Sequence, residues 1–327
     1  MISYTVKRLA VWTVLVFAAV NLTFFLAVAF LDPRSNYADR KPPLPPAVVD
    51  AALSRYNLND QTPVLQRWWT WLTDIVLHWD WGYSPVGVSV NSQIAFRAWT
   101  SVQLMAGAMI IATVVGIALG VYTALRQYRL ADRAWQLVSI VMINVPVVVV
   151  GLAVVLLGIT LNQQVGQTVV YVSGSSGVDV HGFFPTLTDR LAHLILPTIT
   201  LVVVQYAGLH LLQRSLLLDT INADYVRTAR AKGLTRGRAV RRHALRTAII
   251  PVTVGIAFAI PAVFTGAVIT ETIFGWEGMG RYFVTSIGAN DVYGVIAVAA
   301  FGAVATAVGA ILADIAVVYL DPRVRVN

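Results

Sequence analysis

Six apolar runs, each close to the length of a bilayer crossing, constrain this chain more than any other feature. They are Leu9 to Leu31, Thr100 to Leu125, Trp135 to Leu161, Ala192 to Leu212, Ile249 to Ile269 and Tyr293 to Leu320. A hydrocarbon layer of about 30 Å needs roughly 20 apolar residues at 1.5 Å per residue. Inside lipid every backbone N–H and C=O must be satisfied within the protein, which favours helices for runs of this kind. The composition agrees: 57% of residues are hydrophobic, 12% are charged and the mean hydropathy is +0.70. Soluble domains carry about 25% charged residues. The expected fold is therefore an all-α integral membrane protein with six transmembrane helices and a long external loop between the first two. The first run exceeds the roughly 7–15 apolar residues of a signal peptide. Ala27-Val28-Ala29 imitates a cleavage site, but the length argues for a retained span.

Charge sets the orientation. Of the 24 basic residues, 16 fall in segments assigned to the inside and eight to the longer outer segments. Positive charge accumulates on the cytoplasmic side of membrane proteins. Both termini are thus expected inside. The net charge of +8 follows from this bias and calls for no nucleic-acid partner. The expected organisation is a first transmembrane helix (1–31), an external loop with amphipathic helices (32–99) and a five-helix transmembrane core (100–320). A cytoplasmic loop (219–251) lies within that core, and a cytoplasmic tail (321–327) follows it.

Several chemistries are excluded. There is no cysteine, so no disulfide frame, thiolate nucleophile or Cys metal site is available. The five histidines (His78, His181, His193, His210, His243) have no metal-ligand spacing. No G-x-x-x-x-G-K-[ST], H-E-x-x-H or G-x-S-x-G motif occurs. The chain is expected to hold no catalytic residue, metal or cofactor of its own.

Within the outer segment, Lys41 to Pro46 is proline-rich and stiff. Val64 to Trp81 carries five of the nine tryptophans, with Leu65, Trp68, Trp69, Leu72, Ile75, Val76 and Trp79 largely on one helical face. Such a helix can lie on the membrane surface, form the core of a small outer subdomain, or dock another protein. In the second run Ala112, Gly116 and Gly120 recur every four residues, a spacing that lets another helix approach closely. Asn144 and Pro146 sit near the middle of the third run. Proline there kinks or opens the helix. Asn144 either faces a polar pathway or bonds a neighbouring helix, the latter favoured. Asn162 to Arg190 allows a short outer hairpin. Glu271, at the outer end of the fifth run, either lines a gate or is solvated at the interface, the latter favoured.

The longest polar stretch on the inner side runs from Asp219 to Pro251. It reads as two short helices parted at Gly233. Asn222 or Asp224 can cap the first, Gly233 can close it in a left-handed conformation, and Thr235 can cap the second. Its order of residues, Asp224-Tyr225-Val226-Arg227-Thr228-Ala229-Arg230-Ala231-Lys232-Gly233-Leu234, then His243-Ala244-Leu245-Arg246 and Pro251, resembles the coupling loop of binding-protein-dependent ABC importer permeases. More narrowly it resembles the B-type permease of the dipeptide, oligopeptide and nickel branch. Arg227-Thr228-Ala229 stands where the wider superfamily has Glu-Ala-Ala, a departure that resembles the peptide branch. His193-x-x-x-Pro197, the segment Glu271 to Gly280 and Asp321-Pro322-Arg323 also resemble that branch, which the chain follows over nearly its whole length.

The resemblance implies a permease subunit of an ATP-driven importer, with the six-helix fold of that type. Its substrate would be peptides, with nickel or another small solute as the alternative and a stand-alone channel or secondary transporter further off. It implies a second homologous permease, two ATPase subunits or one fused ATPase, and an external substrate-binding protein. ATP and magnesium would be bound by the partners. The expected ATPase-coupling residues are Asp224, Tyr225, Arg227, Thr228, Ala229, Arg230, Ala231, Lys232 and Gly233. Tyr225, Ala229 and Gly233 would fit the ATPase groove, and Arg227, Arg230 and Lys232 would pair with acids around it. Asn144, Pro146 and Glu271 are the candidate pathway or gate residues.

Overall fold

A computed structural model describes residues 2–38, 41–177 and 179–320, with side chains described for these except 2–6, 257–266, 313 and 316–320. The helices are α1 (Ile2–Phe30), α2 (Pro46–Arg55), α3 (Val64–His78), α4 (Val90–Leu125), α5 (Leu130–Asn144), α6 (Val147–Val165), α7 (Phe183–Thr220), α8 (Asp224–Ala231), α9 (Arg236–Ala239), α10 (Leu245–Ile273), α11 (Met279–Gly288) and α12 (Val292–Leu320). A 3₁₀ turn covers Pro33–Tyr37, and a π-helical turn, Val240–Ala244, joins α9 to α10. Among the described residues there is no β-strand, only one isolated bridge between Tyr83 and Ser89.

Among the described residues, five helical segments are long and apolar enough to cross a membrane: Lys7–Phe30, Val90–Leu125, Val147–Val165, Phe183–Thr220 and Val292–Leu312. The expected fifth span, Ile249 to Ile269, includes residues whose side chains lie outside the description; its backbone is helical throughout. The expected third span is not one helix. It breaks between α5 and α6 at Val145, whose backbone is extended (φ −81°, ψ 124°). Pro146 explains the break, because its ring disfavours the helical conformation in the residue before it. Pro197, by contrast, sits inside α7 without ending it. It leaves the carbonyl of His193 without its helical donor, a loss that membrane helices tolerate when neighbours compensate.

The chain divides into two compact units. The first comprises Met1–Val102 and Glu277–Ala307. Its core gathers Phe24 of α1, Leu53 of α2, Leu58, Trp71 of α3, Val90 of α4 and Val292, Tyr293 and Ile296 of α12. The tryptophan-rich helix therefore has two apolar edges. Trp71 is buried with its ring 4.9 Å from Phe24, and Trp68 donates through Nε1 to Asn21 Oδ1 at 2.6 Å. Leu65, Trp69, Val76 and Trp79 remain exposed. Asn57, in a left-handed conformation, is a polar knot: its carbonyl accepts from Tyr293 Oη at 3.0 Å and from Arg67 Nε at 3.2 Å. Asp291 is buried and accepts from the Gly294 N–H at 3.0 Å, capping α12. Burial pushes its carboxyl up to about 6.

The second unit comprises Gln103–Trp276 and Val308–Asn327. The small-residue stripe of α4 works as expected. A Cβ at Gly116 would stand 2.6 Å from Leu209 Cβ, and one at Gly120 2.7 Å from Gln213 Cβ and 3.0 Å from the Arg214 backbone nitrogen. The two glycines thus set how closely α4 lies on α7. The segment after α6 forms no strand among its described residues, against the hairpin expectation. Side chains shape it instead. Asn162 Oδ1 accepts from Val169 and Val170, Tyr171 stacks on buried His193 at 4.0 Å, and Gly174 donates to the Phe274 carbonyl at 2.8 Å.

Candidate coupling site

The stretch Asp219 to Pro251 folds as anticipated into two short helices parted at Gly233, with one difference in how they start. Ala223 is the N-terminal boundary of α8 and Thr235 that of α9, both with extended backbone and neither making a side-chain cap. Asn222 and Asp224 do not cap. Asp224 falls inside the first turn, where its charge favours the helix dipole. The end of α8 is closed fully. Gly233 has φ +95°, its N–H donates to the Arg230 carbonyl at 3.0 Å, and the Leu234 N–H donates to the Ala229 carbonyl at 3.2 Å. These two bonds form the Schellman closure that a left-handed residue permits.

What holds α8 is a compact apolar cluster. Val226 (1% exposed) and Ala229 (8%) pack with Ala124 of α4, Leu217 of α7, Ile221, and Ala239, Val240, Ala244 and Ala248 of the helix running into α10. The alanines matter: small side chains bring helix ends close enough for an eight-residue helix to be gripped. Of the expected coupling residues, Asp224, Tyr225 (44% exposed), Arg227, Thr228, Arg230, Ala231, Lys232 and Gly233 lie on the open side. Ala229 does not. It points into its own chain, because its spacing of three from Val226 puts both on the inward face.

Next to this cluster lies a polar core that the residue order did not single out. Asp132, at the start of α5, is fully buried and accepts from Arg214 of α7 through two bonds, Nε to Oδ1 at 2.7 Å and Nη2 to Oδ2 at 2.9 Å. It also accepts from the Tyr128 N–H at 2.8 Å and from Gln136 Nε2 at 2.9 Å. The Arg214 hydrogen bond, above all, holds the Asp132 carboxyl below the usual carboxylate range. One turn away, His210 is enclosed between Thr123 Oγ1 (3.0 Å from Nε2) and Ser139 Oγ (2.7 Å from Nδ1). Histidine 210 thus ties α7 to α4 and α5. The signal for this core was a lone acid, Asp132, amid Arg126, Arg129 and Arg133.

The candidate pathway residues lie apart from this site. Asn144 is exposed and donates to the Ile140 carbonyl of its own helix at 2.7 Å, and among the described residues it bonds no neighbouring helix. Pro146 is exposed at the α5–α6 break. Glu271 is fully buried near the end of α10, not solvated, and its carbonyl accepts from the Trp276 N–H at 2.8 Å. Among the described residues no cluster of three or more potential metal ligands occurs.

A family profile described as the binding-protein-dependent transport system inner membrane component matches residues 116–326, which takes in α5 to α12. The chain belongs to this family. It is similar to the oligopeptide transport system permease protein OppB of Mycobacterium tuberculosis, with 36% identity over 328 residues covering 100% of both chains. It is also similar to the oligopeptide transport system permease protein AppB of Bacillus subtilis, 33% identical over 90% of this chain and 88% of the relative. The dipeptide transport system permease protein DppB of Escherichia coli is 31% identical over 66% of this chain and 70% of its own length. In this inner membrane component the matched region contains the whole of the α8 cluster and the Asp132–Arg214 core.

Proposed function

We propose that this chain is the transmembrane permease subunit of an ATP-driven importer for peptides, and that α8 couples ATPase motion to alternating access. Membership of the inner membrane component family supports the first part, as do relatives named oligopeptide and dipeptide permeases. The observation that carries the second is the seating of α8. Val226 and Ala229 key it into the ends of α4, α7 and the helix leading into α10. A displacement of α8 is then delivered to three membrane helices at once, as a rigid-body change between two packings.

On this reading the exposed Asp224, Tyr225, Arg227, Thr228, Arg230, Ala231, Lys232 and Gly233 meet an ATPase subunit, whereas Ala229 anchors α8 to the membrane helices. The chain is non-catalytic. ATP and magnesium are handled by two ATPase subunits or one fused ATPase, a second homologous permease completes the path, and an external binding protein delivers the peptide. Six spans cross the bacterial plasma membrane with both termini and α8 inside. Asn144, on an exposed face beside the α5–α6 break, is a candidate for the path shared with the sister permease, and Pro146 for its hinge.

The test is purification of the chain from native membranes, followed by reconstitution with whatever accompanies it. Recovery of a second permease, ATPase subunits and a binding protein, with ATP-dependent uptake of labelled peptide, is the expected result. Uptake by the chain alone without ATP would overturn the reading, and ATP-dependent uptake of nickel but not peptide would change its substrate.

A further inference from the structure

Beyond α8 the same face opens a recess of about 570 Å³ lined by Leu234, Arg238, Arg241 and Arg242. The three arginines are exposed, and among the described residues no acid pairs with any of them. Gly237 leaves the Arg241 guanidinium uncovered, since a Cβ there would stand 3.7 Å from Nη2. Arg241 and Arg242 lie in the π-helical turn Val240–Ala244. Turns of that kind are rare and recur at functional sites. Three like charges around one recess repel one another until an anion enters it. Guanidinium groups match carboxylates with paired hydrogen bonds.

Position along the helix selects the anion. The apolar run begins at Ile249. At 1.5 Å per residue, Arg242 lies about 10 Å and Arg238 about 16 Å before it. The headgroup layer on each side of a bilayer is only about 5–8 Å deep. Measured along the helix, the recess is thus set back from the apolar run by more than the depth of a headgroup layer, which favours a soluble protein as its occupant.

We propose that this recess receives aspartate or glutamate side chains of the cytoplasmic ATPase, as a second anchor beside the exposed face of α8. The inference rests on the importer reading. The two anchors share one foundation, because Ala239 and Val240 pack in the same cluster as Val226 and Ala229. Two-point docking resists rotation of the ATPase about α8. It also lets the ATPase pull on the membrane helices as well as push.

The test uses the assembled importer in nanodiscs of phosphatidylcholine alone or with phosphatidylglycerol. Retention of ATPase subunits is measured against salt for the native chain, for Arg241→Ala with Arg242→Ala, and for Arg241→Lys with Arg242→Lys. The alanine pair is expected to weaken retention about tenfold and to flatten its salt dependence in both lipids, as lost charge pairs at an interface do. The lysine pair, which keeps the charge, is expected to hold most of the native retention and so to show that the fold tolerates change here. Native retention by the alanine pair would overturn the proposal. So would a defect confined to phosphatidylglycerol, which would make the recess a headgroup site. If the native chain retains no ATPase in either lipid, the importer reading itself fails, and this inference fails with it.

Discussion

Asp132 and Arg214, 82 residues apart in the chain, meet in a two-pronged ion pair at 2.7 and 2.9 Å, with the carboxylate wholly out of solvent. This pair locks the start of α5 to the C-terminal part of α7, one turn from the His210 contacts and close to Leu217 of the α8 cluster. Removing one partner of a buried pair strands the other charge, at a cost of about 3–5 kcal/mol. Asp132→Ala is therefore expected to lower stability strongly, and Asp132→Asn less, since it keeps hydrogen-bonding capacity. Thermal unfolding in detergent measures both. Equal stability of Asp132→Ala and the native chain would show that the pair holds nothing together.

The same pair has a defined pH signature. Arg214 depresses the Asp132 carboxyl from its ordinary value of 3.8. A depressed acid contributes stability that is fully present above the unfolded value and lost as pH falls through the folded one. The contribution of Asp132 should thus persist at pH 5 and disappear only below about 4. Comparing the native chain with Asp132→Asn from pH 3 to 7 tests this; a gap that closes near neutrality would contradict it.

Asp291 should behave in the opposite sense. Its carboxyl is raised by burial from 3.8 to about 6. The folded state then binds a proton more tightly than the unfolded one, so stability falls as pH rises between about 4 and 6. Asparagine keeps the cap on α12 without the charge. Asp291→Asn is expected to be more stable than the native chain at pH 7, by at most about 3 kcal/mol, and equal to it near pH 4. A difference independent of pH would defeat this account.

Glycine positions separate close approach from open space. Gly120→Ala would press a methyl against Gln213 and the Arg214 backbone, whereas a Cβ at Gly107 meets nothing within 4 Å. Overpacking of this kind costs about 1–3 kcal/mol. Alanine at an unhindered helical position is neutral or gains up to about 1 kcal/mol. Loss of stability in Gly120→Ala and none in Gly107→Ala is expected from paired melting curves; equal effects would mean that α4 does not pack on α7 through Gly120.

Two substitutions probe the seating of α8. Gly233→Pro cannot adopt φ +95° and removes the N–H that bonds Arg230. Ala229→Glu forces a carboxylate into a cluster of alanines. Both are expected to abolish peptide uptake by the assembled importer while the chain still inserts in the membrane. Normal uptake by both would remove α8 from the coupling path.

Much of this protein was legible in its residue order. Long apolar runs against lipid leave little choice but helix, so the long helices could be placed to within a turn or two at many of their ends. Local backbone demands were equally plain: Gly233 had to be left-handed for α8 to close, and Pro146 had to disturb the third run. The family resemblance rested on contiguous residues, which a chain displays without folding. What the tertiary structure alone decided is which face of each element turns inward. Ala229 and Tyr225 stand four apart in one short helix, and only the approach of Ala124, Leu217 and Ala244 makes one an anchor and leaves the other open. Trp71 and Trp69 divide in the same way between core and surface. Glu271 read as solvated, because an acid at a helix end normally is, yet the fold encloses it. Asp132 and Arg214 were each one charge among many, and their pairing needed two helices distant in sequence to meet. Periodicity and backbone chemistry are local, and so are written in order along the chain; burial and charge pairing depend on distances that exist only once the helices have packed.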